Sequence, residues 1–138
     1  MKQKSITLQT EGFSDIIDLS DEIDKFLSEA PPEGLLNIFV PGSTAGVTTL
    51  EYEPGCVHDL QEALEEIAPA DKKYKHNERW GDGNGFSHLR AALLGPSLTV
   101  PYKNKELQNG TWQQVVLVDC DNRSRKRDII FSVQQTAG

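Results

Sequence analysis

The sequence predicts an α+β fold, a single compact domain of packed mixed or antiparallel β-sheets with two or three helices, and three observations carry that expectation. Segments rich in β-branched and aromatic residues outnumber the helical stripes. The helical stripes fall among them without regular βαβ alternation. Pro and Gly occur as isolated punctuation, with no repeat, linker or low-complexity run. The 138 residues fit one domain, 1–138, and the 37% apolar content can fill one core. With 25% charged and 7% aromatic residues the composition is that of an ordinary globular chain.

Along the chain, residues 4–9 (KSITLQ) place Ile6 and Leu8 in alternation, and Thr10-Glu11-Gly12 carries a turn signal. A first hairpin running into FSDIIDL is therefore expected. A helix from Ser14 competes with it, because Ile16, Leu19, Ile23, Phe26, Leu27 and Ala30 also fit a helical stripe. The better reading is a strand through Leu19 and then a helix over 21–29, since Ser20 is a capping residue and Asp21 and Glu22 suit a first turn. Pro31 and Pro32 end that helix. LLNIFV (35–40) is an apolar run of strand length and predicts a buried strand. Pro41 closes it, and the small-residue loop Gly42–Gly46 follows. VTTLEY reads as a strand and CVHDLQEALEEIAP as a helix with the stripe Val57, Leu60, Leu64 and Ile67. At about 100° per residue that stripe leaves His58 on the opposite face. Residues 71–85 show no sustained period and predict a long loop. SHLRAALLG predicts a short helix stopped by Gly95 and Pro96, and SLTVPY, TWQQVVLVD and RDIIFSVQ predict strands.

Charge and cysteine content narrow the classes of function. The 21 acidic residues against 14 basic give a net charge of -7, which repels a polyanion at long range, so no nucleic-acid partner is expected. No stretch approaches the roughly 20 apolar residues of a membrane helix, and MKQKSITLQTEG has lysines without a following apolar segment. A cytoplasmic protein without a membrane partner is the expectation. Cys56 and Cys120 share no CxxC spacing, and a chain with a sound core needs no disulfide, so reduced thiols are expected.

The residues with chemistry concentrate in one stretch. All three histidines, His58, His76 and His88, lie between positions 58 and 88, on a helix, a loop and a second helix. Imidazole is a common metal ligand and titrates near neutrality, so the three are candidates for a zinc-type site or an acid-base pair. The competing reading is three separate surface or packing histidines, because no HExxH or cysteine pair accompanies them. The loop Trp80-Gly81-Asp82-Gly83-Asn84-Gly85 permits positive φ at several positions and could set Asp82 and Asn84 against a ligand. A tight connection into the next helix explains it equally well. Ser43 and Thr44 put two hydroxyls in a loop after a buried strand, as a ligand-docking loop or as a plain turn. Glu51 and Asp59 are carboxylates able to orient imidazoles. Arg123, Arg125, Lys126 and Arg127 concentrate four cations in an acidic protein, as a phosphate holder or as a solvated hairpin tip. Cys56 is a poor nucleophile for His58, since residues i and i+2 diverge on a helix.

Taken together, STAGVTTLEYEPG, VHDL, YKHNERWGDGNGFSHLRAALLGPSLTVP and GTWQQVVLVDCDNRSRKR form a recognisable set. The sequence resembles the YjbQ-like family, also labelled the secondary thiamine-phosphate synthase enzyme family, over nearly its whole length. The resemblance implies a compact α+β protomer, usually a homotrimer with sites near subunit boundaries. It also implies that His58, His76 and His88 occupy histidine positions of the family pattern. One departure stands out: members typically carry His-Thr-Ser at the start of the small-residue loop, and here Gly42 takes the histidine position ahead of Ser43 and Thr44. The implied site is then incomplete, water-filled at that place, or changed in activity. The resemblance implies a weak side activity that joins a pyrimidine pyrophosphate to a thiazole phosphate with loss of pyrophosphate, in the manner of a thiamine-phosphate synthase. The resulting expectation is a metal-binding enzyme for a small phosphorylated metabolite. In it a divalent metal such as zinc sits on His58, His76 and His88, with His76 and Asp82 catalytic and Ser43, Thr44, Asn84, Arg123 and Arg125 holding the ligand. The rival is a non-catalytic trimeric protein that captures a small anion.

Overall fold

A computed structural model describes residues 2–136. Along the chain run β1 (Lys2–Thr10), β2 (Asp15–Asp18), α1 (Ser20–Leu27), β3 (Glu33–Phe39), β4 (Ala45–Leu50) and α2 (Pro54–Ile67). They are followed by α3 (Lys75–Trp80), α4 (Gly85–Leu94), β5 (Ser97–Lys103), β6 (Glu106–Leu107), β7 (Gln114–Asp119) and β8 (Arg125–Gln134). Two sheets form, a five-stranded one in the order β1-β8-β3-β5-β6 and a three-stranded one in the order β2-β7-β4. Every pairing is antiparallel. This is the α+β architecture the sequence predicts.

Strand β7 explains the layering. Val115, Val116, Leu117 and Val118 are apolar without a break, so this strand is stable only with both faces covered. Val115 and Leu117 join Leu36, Ile38, Ile129 and Phe131 of the five-stranded sheet and Ile23, Phe26 and Leu27 of α1 in the main core. Val116 and Val118 point the other way, into a second cluster with Ile16 and Leu64, flanked by Val57 and Leu60 of α2 and Leu94 of α4. The three-stranded sheet is therefore the middle layer, between the larger sheet and the helices. Arg90 of α4 ties two of those helices together, donating to the Ala68 carbonyl past the end of α2 (2.9 and 3.0 Å) and pairing with Glu65. A cation there meets the negative end of the α2 dipole.

Several expectations are corrected. The strands on either side of Thr10-Glu11-Gly12 form no hairpin: β1 pairs with β8 and β2 with β7, in different sheets. Positive φ at Gly12, Phe13 and Ser14 (82°, 53° and 64°) turns the chain from one sheet into the other. Gly12 has no room for a side chain there, since an added Cβ would stand 2.6 Å from the Arg123 carbonyl oxygen. LLNIFV is covered on one face only: Leu36, Ile38 and Val40 are buried, whereas Leu35 and Phe39 face outward. The loop expected over 71–85 contains α3, which brings the helices among the described residues to four. Ile67 is exposed, outside the stripe it was expected to extend. The strand expected from TWQQ begins at Gln114 and leaves Trp112 exposed, and Arg125–Arg127 belong to β8 rather than to a hairpin tip. Both thiols are free, Cys120 fully buried. Among the described residues no helix is long and apolar enough to cross a membrane.

Candidate functional site

Two of the three histidines meet. Tyr74 precedes α3 in extended conformation, Gly81 ends the helix in the left-handed region (φ 72°), and Gly83 turns the chain again (φ 69°). A glycine at each turn folds the chain back without strain. Gly85 then presses against Tyr74, where an added Cβ would stand 2.6 Å from Tyr74 Cβ, and its N–H donates to Asn77 Oδ1 (2.9 Å). This tight return sets His76 of α3 against His88 of α4, with ring centroids 4.5 Å apart and planes tilted by 43°. Asp82, in the return, has Oδ1 3.6 Å from His76 Nδ1, just outside hydrogen-bond range. Nδ1 of His76 and Oδ1 of Asn84 are both buried without a hydrogen-bond partner. Buried polar atoms in that condition are rare and are a usual mark of a bound ion, ligand or water.

The floor is a charged network that sequence reasoning did not single out. Asp121 accepts from its neighbour Asn122 N–H (2.8 Å), Thr44 Oγ1 (3.1 Å) and Asn84 Nδ2 (3.4 Å). Burial pushes its carboxyl up, but these donations together with Arg125 outweigh burial and hold it below the ordinary carboxylate value. Asn122 Nδ2 donates to the Asp82 carbonyl (2.9 Å) and so fastens the glycine loop to the floor. Below Asp121, Arg127 of β8 forms a two-pronged pair with Asp119 of β7, Nε to Oδ2 at 2.8 Å and Nη2 to Oδ1 at 3.0 Å, and Nη2 also donates to Thr44 Oγ1. Thr10 Oγ1 donates to the same carboxylate. The pair joins the two sheets where they meet beneath the site.

Between the 42–45 loop and α4 lies a hollow of about 250 Å³, bordered by Gly42, Ser43, Ala45, His88, Ala92 and Pro96. Larger hollows, of about 440 Å³ beside α1 and about 470 Å³ beside Trp112, have no histidine in their walls. Burial first, and then the neighbouring imidazole of His76, push His88 below its ordinary pKa, so it stands neutral at neutral pH with a lone pair available.

The other expected residues divide as follows. Ser43 is exposed on the hollow, whereas the Thr44 hydroxyl is buried and committed to Asp121 and Arg127. Arg125 is half-buried, with Nη1 3.5 Å from Asp121 Oδ2, and Arg123 is exposed. His58 does not join the pair within the protomer. It stands on the exposed face of α2, Nδ1 3.6 Å from Asp59 Oδ1 and 3.7 Å from Glu62 Oε2. Those three side chains are all exposed, and their ligand-type atoms lie within 4.8 Å of one another. Asp121, Asn122 and Arg127 were missed as a unit because Asp119, Asp121, Arg125 and Arg127 gain a common purpose only when β7 and β8 bring them together. The alternation of Arg125 and Arg127 along a strand was the one available signal.

The sequence model of the UPF0047 protein YjbQ-like family matches residues 4–136. This chain belongs to that family. A UPF0047 protein of Mycobacterium tuberculosis (strain H37Rv) is 38% identical over 117 residues, covering 85% of this chain and 86% of the relative. The UPF0047 protein YjbQ of Escherichia coli O157:H7 is 30% identical over 137 residues, 96% of each chain. Among solved structures, the YjbQ-like fold recurs in a hypothetical protein of Aeropyrum pernix K1 (TM-score 0.91, 30% identity, 99% of this chain and all of that one). It recurs also in a protein of Sulfolobus solfataricus P2 (TM-score 0.91, 27% identity, 98% and 97%).

Proposed function

We propose that this YjbQ-like protein is a metal-binding enzyme acting on a small phosphorylated metabolite, at the site between α3 and α4. The observation that carries the reading is the facing pair His76 and His88 beside Asp82, with a buried His76 Nδ1 that no protein group satisfies. Two imidazoles and a carboxylate are a donor set that suits a divalent ion of the zinc type. His76, His88 and Asp82 would hold it, in place of the three-histidine set. When bound, such an ion stabilises negative charge developing on a phosphoryl or pyrophosphate oxygen.

The chain's own groups supply the rest. His76 Nδ1, unpartnered and 3.6 Å from Asp82 Oδ1, is the ring nitrogen that would face the ion. His88, neutral near pH 7, has its lone pair available to the ion. Ser43 offers a hydroxyl to the ligand, and the Asp121–Asn122 floor keeps the glycine loop at a fixed height. The finer reading, a thiamine-phosphate synthase-like transferase in a homotrimer, rests on the family resemblance. Gly42, where the resemblance implies a histidine, favours a second reading, a trimer that captures a small anion without turning it over.

The test is metal per protomer in protein purified without a histidine tag or chelator. Near-stoichiometric metal is expected in the native protein and in His58→Ala, and less than a tenth of it in His76→Ala and His88→Ala. Equal metal in all four proteins would overturn the assignment, and no metal uptake on adding zinc or manganese would favour the capture reading.

A further inference from the structure

We infer that Arg127 receives the phosphoryl group of the ligand through an opening in the wall of the hollow that exists because residue 42 is glycine. This rests on the reading above for the phosphorylated ligand, but not for the metal.

Arg127 is 5% exposed, yet its guanidinium is not wholly taken up by the protein. Nε and Nη2 donate to Asp119 and Thr44, which fixes the plane of the group. Nη1 is the edge that remains, and it faces Gly42. A Cβ added to Gly42 would stand 3.0 Å from Arg127 Nη1 and would meet nothing else within 4 Å apart from its chain neighbours. The space beside this glycine is therefore about one atom deep and ends on the tip of a buried cation. Gly42 is also part of the wall of the hollow that holds His88 and Ser43. An oxygen placed where a Cβ of residue 42 would stand is at hydrogen-bond distance from the guanidinium, in a hollow whose wall also includes Ser43 and His88.

The chemistry favours a phosphoryl group. Ser43 and His88 line the hollow and Arg127 Nη1 lies behind Gly42; a guanidinium, a hydroxyl and an imidazole suit the several oxygens of a phosphoryl group, and a charge-assisted bond to a guanidinium is stronger than a neutral one. Asp119 and Asp121 do not forbid this binding: Asp119 is paired with Arg127, and Asp121 lies beside both Arg125 and Arg127, at 3.5 and 3.6 Å. Two carboxylates against two guanidiniums leave the floor close to neutral. The arrangement also moves the ligand-holding role from Arg123 to Arg127, because β8 aims alternate residues to the same side and Arg123 lies outside that strand. No group transfer is implied; the inference concerns binding alone.

The experiment is a titration of metal-stripped, isotope-labelled protein with inorganic phosphate at constant ionic strength, followed by amide and arginine side-chain NMR signals. Saturable shifts are expected at Gly42, Ser43 and His88 and at the Arg127 Nε–H. Affinity is expected to fall several-fold in Gly42→Ala and at least tenfold in Gly42→Val, the thermal midpoint falling modestly because the added Cβ stands 3.0 Å from Arg127 Nη1, while the amide spectrum stays that of the folded protein. Unshifted Arg127 in the native protein, equal phosphate affinity in Gly42→Val, or acetate binding as well as phosphate would each overturn the inference. Since the protein is stripped of metal, phosphate binding can fail while the histidine pair still binds metal, and the reverse, so the two readings fail separately.

Discussion

His88 shows how one side chain's surroundings set its chemistry. Partial burial and the facing His76 disfavour its charged form, against the smaller opposing effect of Asp121 and Asp82. The folded state therefore binds fewer protons than the unfolded chain as pH falls below the ordinary imidazole value of 6.5. The linked stability is intact above that value and is lost as pH falls through the lower, folded value. An NMR titration of the His88 ring should give a midpoint below 6.5, and His88→Gln should flatten the acid-side decline of the unfolding free energy. A midpoint at or above 6.5 would contradict the argument. Cys120 is the opposite kind of residue: burial pushes its thiol up to about 11, so it packs as a small apolar group and takes no part in the site.

At the scale of elements, the site depends on how closely α4 lies on β4. Gly46 of β4 is the point of contact. A Cβ there would stand 2.8 Å from Leu94 Cβ and 2.9 Å from the Gly95 carbonyl oxygen, the same oxygen that accepts from Val47 N–H at 2.9 Å. Because His88 is carried by α4, a shift of that helix moves one imidazole of the pair relative to the other. Gly46→Ala should cost about 1–3 kcal/mol by overpacking, read as a lower urea midpoint with unchanged slope, and should weaken the proposed metal binding although His76, His88 and Asp82 are unaltered. The contrast with Gly42 is one of crowding, since the added methyl at 42 meets a single guanidinium nitrogen at 3.0 Å and at 46 it meets backbone and a packed side chain at 2.8 and 2.9 Å. The sequence shows both as small residues in one loop and cannot tell them apart.

At the scale of the whole molecule, the Asp119–Arg127 pair holds the two sheets together beneath the site. Asp119 belongs to the middle sheet, whereas Arg127 and Thr10 belong to the larger one, and all three side chains are buried. Removing one partner of a buried pair leaves the other charge without its counterpart in a poorly solvated place, which costs about 3–5 kcal/mol. Asp119→Ala should therefore lose a large share of the 5–15 kcal/mol typical of a domain, measured as a fall in the denaturation midpoint. A change under 1 kcal/mol would show that the pair does not join the sheets as described. Much of the rest was legible in advance. Residue periodicity determined the α+β class, most of the strands between Ile6 and Val133, and the placing of His58 away from the core, because these depend on neighbours one to four positions apart; the cap expected at Ser20 was not among them, since Leu19 caps α1 without a side-chain bond. The histidine-rich stretch and the glycine loop were legible for the same reason. Only the tertiary structure decided that β1 and β2 enter different sheets, that His76 meets His88 while His58 stands apart, and that Arg127 rather than Arg123 lies under Gly42. Those outcomes turn on contacts between segments far apart in sequence, set by which apolar faces can be buried together, and no local pattern encodes such a choice.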